Sequence, residues 1–310
     1  GDILKISDLV YKSGNTTLNL DAEIVGIDVF GGVKDEDVET AKLDVSAKAA
    51  NMNIPELMSL LNVPVDFRGT HNFTLEADGT MDNINIEQFD PELDNSTLKV
   101  SGKILNALDS DRIYFNLKAD DSYLTYTDVV NFLKLDKNNF PDFKYANLRK
   151  LRMKGHPEYL EFDLNFNSGL GSLIGDLVVD NSGTMGLKYD GEISNIDIST
   201  MYPSSIKTNL NGELHTEMKG VRSNSPFIDL RFDGGANSID KYKMSRLKIK
   251  MESDNFKLVR LDTLYAEFGT STMGYTVGVP EKRFIQGFGL FDISNKDTAS
   301  YNLDLAFNAM

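Results

Sequence analysis

The chain has 310 residues, with 32 Lys and Arg against 47 Asp and Glu, giving a net charge of −15 at pH 7. That acidic balance opposes phosphate neutralisation and argues against a nucleic-acid partner. The absence of cysteine excludes disulfides, thiol catalysis and Cys-ligated metals, while 41% apolar and 25% charged residues suit a folded chain. No apolar run approaches the roughly 20 residues that span a bilayer, and no signal peptide opens the chain. It starts at Gly1-Asp2-Ile3 directly on alternating residues, which reads as a segment excised from a longer protein, 1–310 being one elongated repeat-containing unit.

In chain order, the dominant pattern is period two. Residues 18–24 put Leu18, Leu20, Ala22 and Ile24 on one face; residues 43–49 do the same with Val45, Ala47 and Ala49. The pattern returns over 98–104 (Leu98, Val100, Ile104), 113–119 (Ile113, Phe115, Leu117) and 160–166 (Leu160, Phe162, Leu164, Phe166). It continues over 210–218 (Leu210, Leu214, Met218), 228–232 (Leu230), 247–251 (Leu247, Ile249), 273–279 and 301–307. Successive strand side chains point to opposite faces, so each segment has one apolar and one polar side. Parallel sheets covered by helices read as continuous apolar runs instead. The expected fold is therefore mainly β, a mostly antiparallel sheet wet on one side. Turns are expected at Asn15, Gly31-Gly32, Asn181-Ser182-Gly183, Asn211-Gly212 and Gly234-Gly235. Residues 258–268 and 284–293 break the alternation, which predicts a sheet end, a strand covered on both faces, or contact with the rest of a longer protein.

Helical spacing is scarce and recurs. Ile54, Leu57, Met58 and Leu61 form one stripe, Tyr126, Val129, Val130 and Leu133 another, and residues 198–202 begin a third before Pro203. The three starts are 72 residues apart both times, and Pro55, Thr127 and Ser199 suit first turns or caps. Diverged repeats of about 70 residues predict an elongated, stacked architecture.

Catalytic signatures are absent. His71, His156 and His215 make no zinc pair, and His71 and His215 read as solvated histidines on polar faces. Residues 169–175 place their third glycine too late for a dinucleotide loop and continue as strand. Acidic pairs at Asp35-Glu36-Asp37 and Asp120-Asp121 lack calcium-loop spacing, and the three N-x-S/T sites at Asn15, Asn72 and Asn95 are common in Asn-rich chains. The expectation is a protein without enzyme activity, cofactor or metal.

A sheet apolar on one face must bury that face, and two-turn helices are too short to cover it. Either the sheet closes on itself as a filled core, or it curls into an open groove whose wall meets apolar ligand. Gly102, Gly212, Ala22, Ala47 and Ala49 are expected to leave room along such a wall.

Residues 95–119 (strand, glycine, short break, strand) resemble the recurring unit of the AsmA-like superfamily. Residues 149–199 are similar to repeats of its TamB-type members, with Leu170-Gly171-Ser172-Leu173-Ile174-Gly175-Asp176-Leu177 followed by Tyr189-Asp190-Gly191-Glu192-Ile193 and Ile196-Asp197-Ile198. The resemblance covers most of residues 14–280. It implies a curved β-taco with a hydrophobic groove, in a periplasmic protein anchored in the inner membrane and partnered with an Omp85-type outer-membrane barrel through regions outside this sequence. It also implies carriage of phospholipid acyl chains between the membranes and a role in outer-membrane biogenesis. No catalytic residues carry over. The groove is expected to be lined by the twenty residues Leu18, Leu20, Ile24, Val45, Leu98, Val100, Ile104, Ile113, Phe115, Leu117, Leu160, Phe162, Leu164, Phe166, Leu210, Leu214, Met218, Leu230, Leu247 and Ile249. Two alternatives stand beside lipid carriage: a scaffold for outer-membrane protein or autotransporter assembly, and a closed β-domain serving as spacer or adhesin.

Overall fold

The computed structural model describes residues 3–13, 16–26, 40–53, 70–133, 142–201, 206–255, 257–268, 283–292 and 300–308. The helix expected at 54–61, the strand expected at 273–279, the turns at Asn15 and Gly31-Gly32, and the acidic run at 35–37 lie outside the described residues. The chain divides into two compact units, Gly1–Pro157 and Glu158–Met310, and each is an antiparallel sheet.

The first unit contains β1 (Ile3–Ser13), β2 (Thr16–Val25), β3 (Lys42–Asn53), β4 (Thr70–Thr80), β5 (Ile84–Pro91), β6 (Val100–Leu105), β7 (Tyr114–Lys118), β8 (Ser122–Thr125), helix α1 (Tyr126–Leu133) and β9 (Tyr145–His156). Strands β1 to β7 pair in chain order, and β9 pairs with both β7 and β8. The second unit is a meander of β10 (Tyr159–Ser168), β11 (Gly171–Asp180), β12 (Gly186–Ile196), helix α2 (Ile198–Met201), β13 (Thr208–Lys219), β14 (Phe227–Ile239), β15 (Tyr242–Asp254), β16 (Leu258–Phe268), β17 (Arg283–Asp292) and β18 (Ser300–Asn308). Every consecutive pair from β10 to β18 is antiparallel. The period-two reading thus gives the right fold class. Strand bounds moved at two predicted wall positions: Leu98 precedes β6 and Ile113 precedes β7, so neither belongs to a strand.

Two expected turns are not turns. Asn211-Gly212 lies within β13 and Gly234-Gly235 within β14. These glycines serve close strand approach: a Cβ on Gly212 would stand 2.4 Å from the Gly234 Cα. The break at 258–268 is also explained. A bulge between Leu261 and Leu264 in β16 shifts the alternation by one residue, so Val259 and Leu261 before it, and Leu264 and Ala266 after it, share a side.

The repeat has a structural counterpart beyond the helices. In β3 the register slips between Ala49 and Met52, and in β12 between Ile193 and Ile196. The left-handed residues at these slips are Asn51 (φ 52°) and Asn195 (φ 55°), 144 residues apart, twice the spacing of the helix starts. Asparagine tolerates that conformation better than most residues. Each bulge is pinned alike: the Asn51 N–H donates to Asn72 Oδ1 at 2.7 Å, and the Asn195 N–H to Asn211 Oδ1 at 2.9 Å. Met52 and Ile196, which follow the bulges, are both buried. Asn72 also donates from Nδ2 to Glu92 at 2.8 Å, so both ends of its amide are engaged in the sheet.

The helix caps differ from those expected. In α1 the cap is Thr125, whose Oγ1 accepts the Asp128 N–H at 3.3 Å, rather than Thr127. In α2 it is Asp197 rather than Ser199: Asp197 Oδ1 accepts the Ser199 N–H and the Thr208 N–H, both at 3.0 Å. Short polar side chains at the cap satisfy the first free amides, and in both helices the residue two places earlier has the better geometry. Val130 on α1 is buried, as its stripe predicted. Asp128 is itself buried, and its Oδ2 accepts the Ser96 hydroxyl at 2.6 Å and the Asn95 N–H at 2.8 Å. Burial pushes its carboxyl up, but the bonds from Ser96, Asn95 and Thr125 outweigh this and hold it below the ordinary 3.8. A depressed folded pKa stabilises above the unfolded value, and the contribution fades as pH falls through the folded one. Asp128→Asn is expected to cost about 1–2 kcal/mol near neutral pH. It should also flatten the acid limb of stability below the ordinary carboxylate range, as read by urea unfolding at stepped pH; an unchanged acid limb contradicts the assignment.

Candidate functional site: an uncharged sheet face

Directly opposed residues of antiparallel strands share a face, so the registers trace rows across each sheet. In the second unit one row runs Leu164, Gly175, Gly191, Leu214, Phe232, Ile249, Leu264, Gly287, Leu305 through all nine strands. A second runs Phe162, Leu177, Tyr189, Thr216, Leu230, Met251, Leu261, Gly289, Leu303, and a third Leu160, Val179, Leu187, Met218, Ile228, Ser253, Val259, Phe291, Tyr301. Phe166 opposes Leu173, which opposes Ile193; Leu210 opposes Ile196; Leu247 opposes Gly234 and Ala266.

The first unit has the same construction. Leu4, Ile24, Leu43, Gly79, Ile84, Ile104, Phe115 and Gly155 form one row, and Ile6, Ala22, Val45, Ala77, Ile86, Gly102, Leu117 and Met153 the next. Leu20 and Val100 belong to a third with Leu75 and Phe89, and Leu18 to a fourth with Ala49 and Phe73. The eighteen predicted wall residues that lie in strands therefore all fall on the apolar face of their unit. His71 pairs with Met52 across β3 and β4, and its side chain lies outside the described residues.

None of these rows carries a charge. Their polar members are the hydroxyls of Thr216, Ser253, Tyr189 and Tyr301. The Tyr189 hydroxyl donates to the Glu192 carbonyl at 2.9 Å, and burial pushes its pKa up to about 12, so it stays neutral. Arg283, opposite Phe268 at the start of β17, shares the wall side beyond these rows, whereas Asp163, Asp176, Asp190, His215, Arg231 and Lys250 stand in register on the other side. There His215 is half-exposed with Nδ1 at 2.9 Å from Asp190, as a solvated histidine should be. Asp233 meets Lys248 at 2.7 Å and Arg246 at 3.3 Å; Asp262 meets Lys250 at 2.8 Å and Arg260 at 2.9 Å. Among the described residues, no group of three His, Asp or Glu side chains is placed to hold a metal ion.

Exposure separates the open wall from the filled core. Of the twenty predicted wall residues, eighteen are half-buried and only Leu164 and Leu247 are buried. In the second unit the most enclosed part is mid-sheet, where Tyr189, Ile193, Ile196, Phe232, Met244, Leu247 and Ala266 form one cluster. Towards β18 the same face opens: Tyr301 is 73% and Phe307 64% exposed. Of the two described helices, α1 packs on β8 and α2 on β13.

The small residues act differently from expectation. Ala22, Ala47 and Ala49 are buried on the wall. Gly102 has φ +138° and a Cβ there would lie 2.1 Å from the Asn116 carbonyl oxygen, so it admits a neighbouring backbone rather than open space. The wall members that sequence reasoning did not name are Leu173 and Leu177 on β11, Tyr189 and Ile193 on β12, and Ile84, Ile86 and Phe89 on β5. Their alternation is visible in the sequence but interrupted by glycine in β11 and β12 and by a bulge in β5.

Compared with protein-family models, with curated proteins and with solved structures, the chain finds no match.

Proposed function

We propose that the uncharged face of each unit is the wall of a groove for phospholipid acyl chains. The chain is then a non-enzymatic segment of a periplasmic bridge, carrying lipid between inner and outer membranes in support of outer-membrane biogenesis. In the whole protein an inner-membrane anchor and an Omp85-type barrel would complete the route. The observation that carries this reading is the union of two properties: rows of uncharged side chains that cross every strand of the second unit, and half-burial of eighteen of the twenty predicted wall residues. A filled core would satisfy the first property and fail the second. Burying acyl chain gains about 0.8 kcal/mol per methylene, so a sixteen-carbon chain seated along the wall gains on the order of 10 kcal/mol before entropy losses. Such contact has no preferred direction, which suits sliding along a wall.

The test is binding of a fluorescent-acyl phospholipid by the purified 310-residue chain in detergent-free buffer, with mass spectrometry of extracted lipid beside it. Saturable binding competed by unlabelled phospholipid is the expected result. Absence of binding by a folded chain overturns the reading, and crosslinking of wall positions to unfolded client polypeptide instead of lipid replaces it with the assembly-scaffold alternative.

A further inference from the structure

We propose that the polar side of β17 is a glycan-binding track, a narrow platform on which a linear chain of pyranose rings lies. On that side β15 presents Lys248, Lys250 and Glu252, all charged, whereas β17 presents Phe284, Gln286, Phe288 and Leu290, none of them charged. Phe288 is 57% and Leu290 41% exposed. A contiguous apolar strip on a face that otherwise carries ions marks a place of contact. It lies across the sheet from the uncharged wall and is independent of what that wall holds.

The surroundings of the strip specify the ligand. The bulge in β16 sets Thr263 beside Phe288 on one flank, and Asp304 opposes Phe288 on the other. With Tyr265 and Gln286 these residues line an open hollow of about 460 Å³, within the roughly 300–1,000 Å³ of small-molecule sites. The Tyr265 ring is held: it stacks on Phe284 with centroids 5.8 Å apart, and its hydroxyl donates to Glu267 Oε2 at 3.0 Å. The rim is free. Among the described residues the side chains of Thr263, Gln286, Asn302 and Asp304 have no hydrogen-bond partner, and all four are exposed. They offer a hydroxyl, two amides and a carboxylate, a set that both donates and accepts. A pyranose has the matching chemistry, a face of C–H groups for the Phe288 ring and a rim of hydroxyls for these groups. The neighbouring cations are already engaged, Arg246 and Lys248 by Asp233 and Arg260 by Asp262, so an anionic ligand finds no free charge there. At about 3.4 Å per residue, Phe284 and Leu290 stand about 20 Å apart along the strand, a length that suits several linked rings rather than one.

Calorimetric titration of the 310-residue chain with cellotetraose and with chitotetraose tests the track. Saturable binding of at least one is expected, insensitive to salt because no ion pair forms. Phe288→Ala should weaken it about tenfold, and because the ring is more than half exposed the urea midpoint should hold. Ile174→Ala removes an apolar side chain, 47% exposed on the polar side of β11, and should leave binding unchanged. Asp304→Asn keeps an acceptor and should preserve binding, while Asp304→Ala should weaken it severalfold. Phe162→Asp, on the wall, should leave glycan binding intact, which separates this site from the groove. The track is overturned by no binding of either tetrasaccharide, by binding indifferent to Phe288→Ala, or by equal loss in Ile174→Ala. Loss in Asp304→Asn or at high salt overturns it as well, since the ligand would then be a cation.

Discussion

A single carboxylate on the uncharged face, Phe162→Asp or Leu214→Asp, is expected to weaken acyl-chain binding roughly a hundredfold while leaving the sheet folded. Phe162 opposes Leu177, and Leu214 stands between Gly191 and Phe232; both are half-buried. In the empty groove a carboxylate there keeps access to water, so the cost to folding is modest, about 1–2 kcal/mol for lost apolar contact. With acyl chain seated over it, the same carboxylate must be desolvated without a partner, because the rows around it contain no cation. A penalty of about 3 kcal/mol, a small part of the full desolvation cost, weakens binding roughly a hundredfold. The control is Thr263→Asp, which puts the same charge on the polar side next to Lys250 and should leave binding unchanged. Titration of the fluorescent lipid, with circular dichroism to verify folding, reads both. Unaltered binding in a folded Phe162→Asp chain, or equal loss in Thr263→Asp, removes the wall from the mechanism.

The wall was legible in the sequence because its signal is the simplest a strand can carry. Leu160, Phe162, Leu164 and Phe166 alternate without interruption, and β10 is correspondingly regular against β11 from Tyr159 to Ser168. Where alternation fails, the cause is local backbone geometry that composition does not reveal. At 258–268 one extra residue in β16 moves the apolar phase, which made a one-sided strand look two-sided. In β17 the two-sidedness is real: Phe288, 57% exposed, and Leu290, 41% exposed, face away from the wall residues Ile285 and Phe291. Glycine is the other source of error. Gly212 and Gly234 look like turn residues because most strand-flanking glycines are, yet they mark the place where two backbones nearly touch. Both cap positions were missed by two residues because Ser, Thr and Asp crowd both helix starts, and only geometry tells which one accepts the amide. Groove openness was not legible at all, since an alternating strand is equally suited to a filled core.

The largest effect on the fold is expected from Gly191→Ala, one methyl group on the central row of the second unit. Gly191 opposes Gly175, and an added Cβ would stand 2.3 Å from the Ile174 carbonyl oxygen, 2.6 Å from the Gly175 Cα and 2.9 Å from the Tyr189 hydroxyl. The first two are backbone atoms of a paired strand, so relief requires β11 and β12 to move apart rather than a side chain to swing. That movement stretches the ladder and takes Tyr189 from its bond to the Glu192 carbonyl, leaving a buried hydroxyl unsatisfied. The cluster of Tyr189, Ile193 and Phe232 sits on the same strands and loses its packing with them. A loss on the order of 3 kcal/mol follows from overpacking plus one stranded polar group. Gly186→Ala is the comparison, since its added Cβ would meet Asp180 Cβ and the Met218 carbonyl oxygen at an ordinary 3.5 Å, and it should be near neutral. Urea unfolding of both variants distinguishes a glycine kept for close approach from one kept by chance: equal midpoints mean the strands tolerate separation at Gly175 and Gly191. A large drop for Gly191→Ala alone means that the paired glycines are what allow β11 and β12 to approach so closely.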